Sequence, residues 1–182
     1  MIFAHLPAGY LLARAARRYV GEYSTPQATL CIASCLGCIA PDIDFPYFYL
    51  VDHRQHHHHA YFTHYPLFWL GLLGLALLGR RISDSVRWGN AAILFCLSGL
   101  VHLLLDGSVG IIWWLAPLTD MPPGLLIVHA KNAAWWSNYL LHGTFVFELP
   151  IIALAVFTWR RSVQTPAVGA TQQDDHGAPA KQ

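Results

Sequence analysis

Residues 41–66 read PDIDFPYFYLVDHRQHHHHAYFTHYP, a polar run set between two apolar ones. Asp42 and Asp44 open it, His53 and the block His56, His57, His58 and His59 fill its middle, and Thr63 and His64 close it. Carboxylates and imidazoles gathered in one short segment are the ingredients of a metal site. The flanking segments, residues 27–40 and 66–79, are apolar and helical in pattern, with Pro41 after the first and Pro66 at the start of the second. The run therefore predicts a metal-binding wall at one end of an apolar helical bundle.

Composition points the same way. Of 182 residues, 55% are hydrophobic and only 12% charged, and the mean hydropathy is +0.39. Soluble domains carry about 25% charged residues, so this surface is built for lipid, and the lipid bilayer is the first expected partner. A net charge of +1 supplies no basic footprint for nucleic acid. No basic residue precedes the first apolar run, whereas Arg14, Arg17 and Arg18 follow it, the reverse of a secretory signal. Cys31, Cys35 and Cys38 recur on one face of an apolar helix and, with Cys96, read as small buried thiols.

Five segments read as apolar helices: 2–20, 27–40, 66–79, 90–105 and 143–159. Residues 80–89 read as a basic loop and 162–182 as a disordered polar tail, which leaves one domain over 1–161. Between the last two helices, residues 111–118 are apolar but broken by Pro117, and 133–141 carry Trp135, Trp136 and Tyr139. That region reads as re-entrant or interfacial. The expected fold is all-α, a polytopic membrane bundle of four to five helices. Alternating the helices up and down puts Arg14, Arg17, Arg18, Arg80, Arg81, Arg87, Arg160 and Arg161 at one end. His5, Asp42, Asp44, the His block, His64, His102 and Asp106 fall at the other. Loops rich in Lys and Arg stay cytoplasmic, so the His/Asp end is expected on the outer, periplasmic face of an inner membrane and the tail in the cytoplasm.

His102 and Asp106 stand four apart on an apolar helix, one turn from each other on one face, a two-ligand clip for zinc or a similar cation. Ionisable groups at the centre of a membrane helix cost about 2.5–3.5 kcal/mol on insertion scales, and they are functional by default. Asp42 and Asp44, read as an extended loop, point alike and supply one metal each, or one ligand and one base. The four consecutive His cannot all serve one ion, because their side chains diverge in any regular backbone; one or two are ligands. His64 immediately precedes its helix. His5 gains weight from lying at the same end. Glu148, within an apolar helix, needs a partner near the site, while His129 reads as ordinary loop.

Ala4-His5, Pro41 to Asp44, Thr63-His64 and Val101-His102 to Asp106, with Gly110 and Pro117 beyond, resemble a family of bacterial and archaeal inner-membrane proteins regarded as metal-dependent hydrolases. That family's pattern runs PDID, HRG-x-TH, then SH-x-x-x-D, and aligns its earlier His with His59, although Ala60 and Tyr61 stand where Arg and Gly are usual. The layout is also distantly similar to zinc-dependent phospholipase C. The resemblance implies a metal set of His5, Asp42, Asp44, His59, His64, His102 and Asp106, with Asp42 or Asp44 as general base. It implies a divalent metal, zinc by preference, and hydrolysis of a phosphoester or lipid-headgroup substrate by metal-activated water. A non-enzymatic metal-binding or transport protein is the competing expectation.

Overall fold

The α-helix before Pro41 ends at Ile39, close to the expected residue 40, but the helical path continues through Pro41. In the computed structural model, which describes residues 3–21, 24–119 and 143–164, helix α2 (Gln27–Ile39) passes into a 3₁₀ turn, Ala40–Asp44, and on into α3 (Phe45–Leu50). Pro41 sits in the first turn of that 3₁₀ segment, where a missing N–H leaves no hydrogen bond unmade and the fixed φ suits the helix. Asp42 and Asp44 are therefore on a tight turn and not in an extended loop. A 3₁₀ turn advances roughly 120° per residue, so the two carboxylates diverge instead of pointing alike.

The other elements are α1 (His5–Ala16), α4 (Pro66–Ile82), α5 (Val86–Val109) and α6 (Glu148–Gln164), with 3₁₀ turns at His58–Ala60, Phe62–His64 and Gly143–Phe147. The described residues are all-helical, as expected. The expected basic loop shrinks to residues 83–85, because α4 continues through Arg80 and Arg81 and α5 begins before Arg87. At its other end α5 runs through Asp106 and Gly107, so the His102/Asp106 pair lies inside the last turns and not beyond them. Gln27–Leu50 and Val86–Val109 are each 24 residues long and apolar enough to cross a membrane. Helix α6 continues to Gln164, three residues past the expected domain end at 161. The expected interfacial segment at 133–141, with His129 and His142, and the tail beyond 164 lie outside the described residues.

Helix α5 is the spine, packed on α2 and α4, with α1 against α2 and α6 against α1. The approach of α2 to α5 is close because its seam is small: a Cβ on Gly37 would collide with the Phe95 carbonyl, and Ser34 and Ser98 share a 2.7 Å hydrogen bond. This is membrane-style packing, in which small residues let backbones approach and hydroxyls bind across the seam. Cys38 and Cys96 are buried and Cys31 and Cys35 half-buried, all four with free thiols, in keeping with the reading of them as small packing residues. On the outside, Leu75, Leu78, Ile82, Leu154, Phe157 and Val163 are exposed, a surface too apolar for water.

The ends of the bundle differ in chemistry. At one, Arg17 donates to the Thr25 carbonyl, Asn90 to the Thr25 hydroxyl and Arg80 to the Asn90 amide oxygen, so α1, α4 and α5 meet there through polar groups. At the other, the start of α1, the turn after α2, the turn before α4 and the last turns of α5 converge on imidazoles and carboxylates.

Candidate metal centre

Four helix ends supply the site, and each is fixed by a local device. Trp69, on the first turn of α4, lays its indole over Gly99 of α5 and donates its N–H to the Thr63 carbonyl at 2.7 Å, which pins the turn carrying His64. Glu148 is fully buried at the start of α6, and its carboxylate accepts the backbone N–H groups of Phe3 and Ala4 at 2.7 and 2.8 Å. A carboxylate on the free N–H groups at a helix start is favoured by the helix dipole. Glu148 thus positions α1, and with it His5, from outside the site.

The side chains then meet. His102 Nε2 lies 3.1 Å from Asp106 Oδ2 and 3.8 Å from Asp42 Oδ1; His64 Nε2 lies 3.7 Å from the same Asp42 oxygen. His5 Nε2 is 3.2 Å from Asp106 Oδ1, and its ring stacks on His102 with centroids 4.0 Å apart. His59 Nε2 is 3.4 Å from Asp106 Oδ2. Ligand atoms of Asp42, His64, His102 and Asp106 all lie within 4.8 Å of one another, as do those of His58, His59 and His64; either group could hold a metal ion. Ligands about 2.0–2.1 Å from a tetrahedral zinc stand about 3.3–3.4 Å apart, and the shorter of these separations bracket that edge length.

Hydrogen bonds on the far side of the His102, His59 and His64 rings fix which nitrogen faces in. His102 Nδ1 meets the Cys38 carbonyl at 2.8 Å and His59 Nδ1 the Ile111 carbonyl at 2.9 Å. A carbonyl only accepts, so both rings carry their proton on Nδ1 and turn a bare Nε2 inward. His64 Nδ1 meets Asp44 Oδ2 at 3.0 Å, and Thr63 donates to the same oxygen at 2.6 Å. Carboxylate–imidazole pairs of this kind orient metal ligands. The Nε2 atoms of His5, His64 and His102 are buried and make no hydrogen bond. Leaving such groups unsatisfied costs about 1–3 kcal/mol each.

Every residue named from sequence as a ligand reaches the cluster, but Asp44 does so differently. Its Oδ2 meets His64 Nδ1 and aims that ring, while its Oδ1 stands 3.2 Å from His58 Nδ1 without a hydrogen bond. His58 was not separable from its neighbours by sequence. Here an extended His57 followed by a 3₁₀ turn swings His58 and His59 inward together, with His58 Nε2 3.2 Å from Asp42 Oδ1. Burial opposes its protonation, but the flanking Asp42 and Asp44 outweigh that and push its pKa up to about 9. His57 stays at the surface, where partial desolvation and the neighbouring His59 and His58 lower its pKa to about 4. His53, with φ 50, lies in an exposed turn, and His56 pairs with Asp52. The backbone acceptors at Cys38 and Ile111 left no mark in the sequence.

No curated protein and no solved structure matches the chain. A family model, described as YdjM inner membrane protein, matches residues 1–169, a span that takes in α1 to α6 and every residue of the cluster. With two helices long enough to span a bilayer and an apolar exterior, the chain belongs to the YdjM inner membrane protein family.

Proposed function

We propose that the protein is a polytopic, metal-dependent hydrolase whose centre opens at the outer face of the inner membrane. The observation that carries the metal reading is the set of buried, unsatisfied Nε2 atoms of His5, His64 and His102 aimed at Asp42 and Asp106. The two imidazoles and two carboxylates of His64, His102, Asp42 and Asp106 suit a divalent cation, zinc by preference. Such an ion lowers the pKa of a bound water to about 7 and polarises the scissile group.

The side chains divide the remaining work. Asp42 is the most exposed carboxylate of the centre, at 29% against 7% for Asp44 and 4% for Asp106. Its second oxygen, left off the ion, is the base placed to take a proton from attacking water at the mouth. Asp44 holds His64, and Glu148 holds the start of α1. Around the mouth, Phe45, Tyr47, Tyr49 and Phe62 are exposed, and aromatic rings of this kind settle at headgroup depth. A phosphoester, such as a lipid headgroup, is the substrate class that a site at this depth meets. The arginine-rich end is assigned to the cytoplasm, which puts the segment after α6 there too. A transport reading is less favoured: Ser34, Ser98 and Thr29 are the buried polar groups of the α2/α5 seam, hydroxyls where a cation path calls for carboxylates.

The test is zinc content and phosphodiesterase activity of detergent-purified protein beside His102→Ala and Asp42→Ala. Expected are bound zinc and chelator-sensitive hydrolysis in the parent, with hydrolysis absent in both variants. Metal content that is nil in the parent, or unchanged in both variants, sinks the metal reading. Loaded protein inert on phosphodiesters, phosphomonoesters and esters alike leaves a metal-binding protein.

A further inference from the structure

Three carboxylates and five imidazoles meet at this centre, whereas a catalytic divalent ion takes three or four protein ligands and keeps a position open. With Asp44 counted as a group that aims rings, seven inward-facing ligands remain, and the distances sort them around two carboxylates. His5 Nε2 approaches Asp106 Oδ1 at 3.2 Å, and His102 and His59 approach Asp106 Oδ2 at 3.1 and 3.4 Å. On the other side, His58 and His64 approach Asp42 Oδ1 at 3.2 and 3.7 Å. We propose that the centre is binuclear, one divalent cation held by Asp106 with His5, His59 and His102, the other by Asp42 with His58 and His64. This rests on the metal reading above and specifies it.

Three observations carry the division. First, the rings are backed as two sets: His59 and His102 hydrogen-bond the Ile111 and Cys38 carbonyls and His64 hydrogen-bonds Asp44 Oδ2, while His58 Nδ1 stands 3.2 Å from Asp44 Oδ1 without a hydrogen bond. One carboxylate that faces the Nδ1 atoms of two imidazoles leaves both Nε2 atoms converging on a single point beside Asp42. Second, His5 and His102 bring Nε2 to 3.1–3.2 Å from Asp106 oxygens, yet neither nitrogen makes a hydrogen bond. At these two nitrogens a shared cation reconciles the close approach with the missing hydrogen bond, whereas on the other side His58 Nε2 does hydrogen-bond Asp42 Oδ1. Third, a single ion among Asp42, His64, His102 and Asp106 leaves His5 Nε2, in a residue 2% exposed, unmatched beside Asp106 Oδ1. That group of four, with ligand atoms within 4.8 Å, becomes the seam between the ions. Ions about 3.5–4 Å apart clamp the attacking and leaving oxygens of an in-line displacement, so the two-ion centre favours a phosphoester over a carboxylic ester.

The test uses full-length protein in detergent, stripped with chelator, reloaded with Zn²⁺ or Mn²⁺ and freed of excess metal. Wild type is expected to hold two ions per chain and, with Mn²⁺, to give an exchange-coupled paramagnetic resonance signal. His5→Gln and His58→Ala, on opposite sides of the division, are each expected to hold one ion per chain and to lose the coupled signal. The wild-type signal keeps the idea testable if His5→Gln fails to fold. One uncoupled ion per wild-type chain overturns the binuclear centre and leaves the metal reading standing, whereas no bound ion overturns both. Two ions retained in either variant refutes this division of the ligands.

Discussion

Asp44 and Asp42 are two residues apart and of one chemistry, yet the turn gives them different tasks. Asp44 Oδ2 takes the Thr63 hydroxyl and faces His64 Nδ1, so Asp44→Asn is expected to lower metal affinity about 10- to 100-fold while full loading remains reachable at high metal. Equilibrium dialysis checks this; a loss of loading at every concentration would make Asp44 a ligand. His58 gives a second expectation, in the metal-free protein. Its pKa is raised from 6.5 to about 9 by Asp42 and Asp44, so its stabilising ion pairs are fully present below about pH 6.5 and lost as pH rises through 9. The melting temperature of stripped protein should therefore fall from pH 7 to 9.5. Zinc-loaded protein should not show that fall, because metal needs the deprotonated ring. Identical pH profiles for the two would mean that the Asp42–His58–Asp44 bridge is absent in solution. HxxxD was legible in the sequence because its partners share one helix. His58 was not, because the backbone that separates it from His56 and His57 is a single 3₁₀ turn set by tertiary packing.

At the scale of elements, the seam between α2 and α5 decides whether the two Asp-bearing ends register. Gly37 faces the Phe95 carbonyl, and Gly74 of α4 faces open space. Gly37→Val is expected to destabilise by about 1–3 kcal/mol or more through overpacking. Gly74→Ala is expected to stabilise by about 0.5–1 kcal/mol, through helix propensity alone. Thermal unfolding in detergent separates them, and equal effects would mean that the helices do not approach as described. The five longer helices and their order were readable from apolar runs, whereas the short α3 inside the polar run was not. Nor were the lengths of the five. Arg80, Arg81 and Arg87 look like loop residues, yet a membrane helix carries charges in its end turns once they reach the interface. Pro41 looks like a terminator because a proline at the start of a new turn and one at the end of an old helix share the same residue in sequence. That misreading also hid the divergence of Asp42 from Asp44.

For the whole molecule, one polar end holds the site and the other the arginines, and the division was legible because alternating helices carry charge to alternating ends. The proposed orientation is tested by a protease-sensitive tag after Lys181, expected to be shielded in spheroplasts and cleaved only once the membrane is opened. Cleavage from outside would invert the assignment. Glu148 adds a consequence of another kind, about time. The residue that seats the start of α1 is made 143 residues after His5. Until α6 is made, the start of α1 lacks the Glu148 carboxylate on Phe3 and Ala4, and His5 is placed only by the packing of α1 on α2 and α5. The centre then reaches its final form only once synthesis has passed Glu148, and a chain ending before that residue is expected to hold zinc more weakly than the full chain.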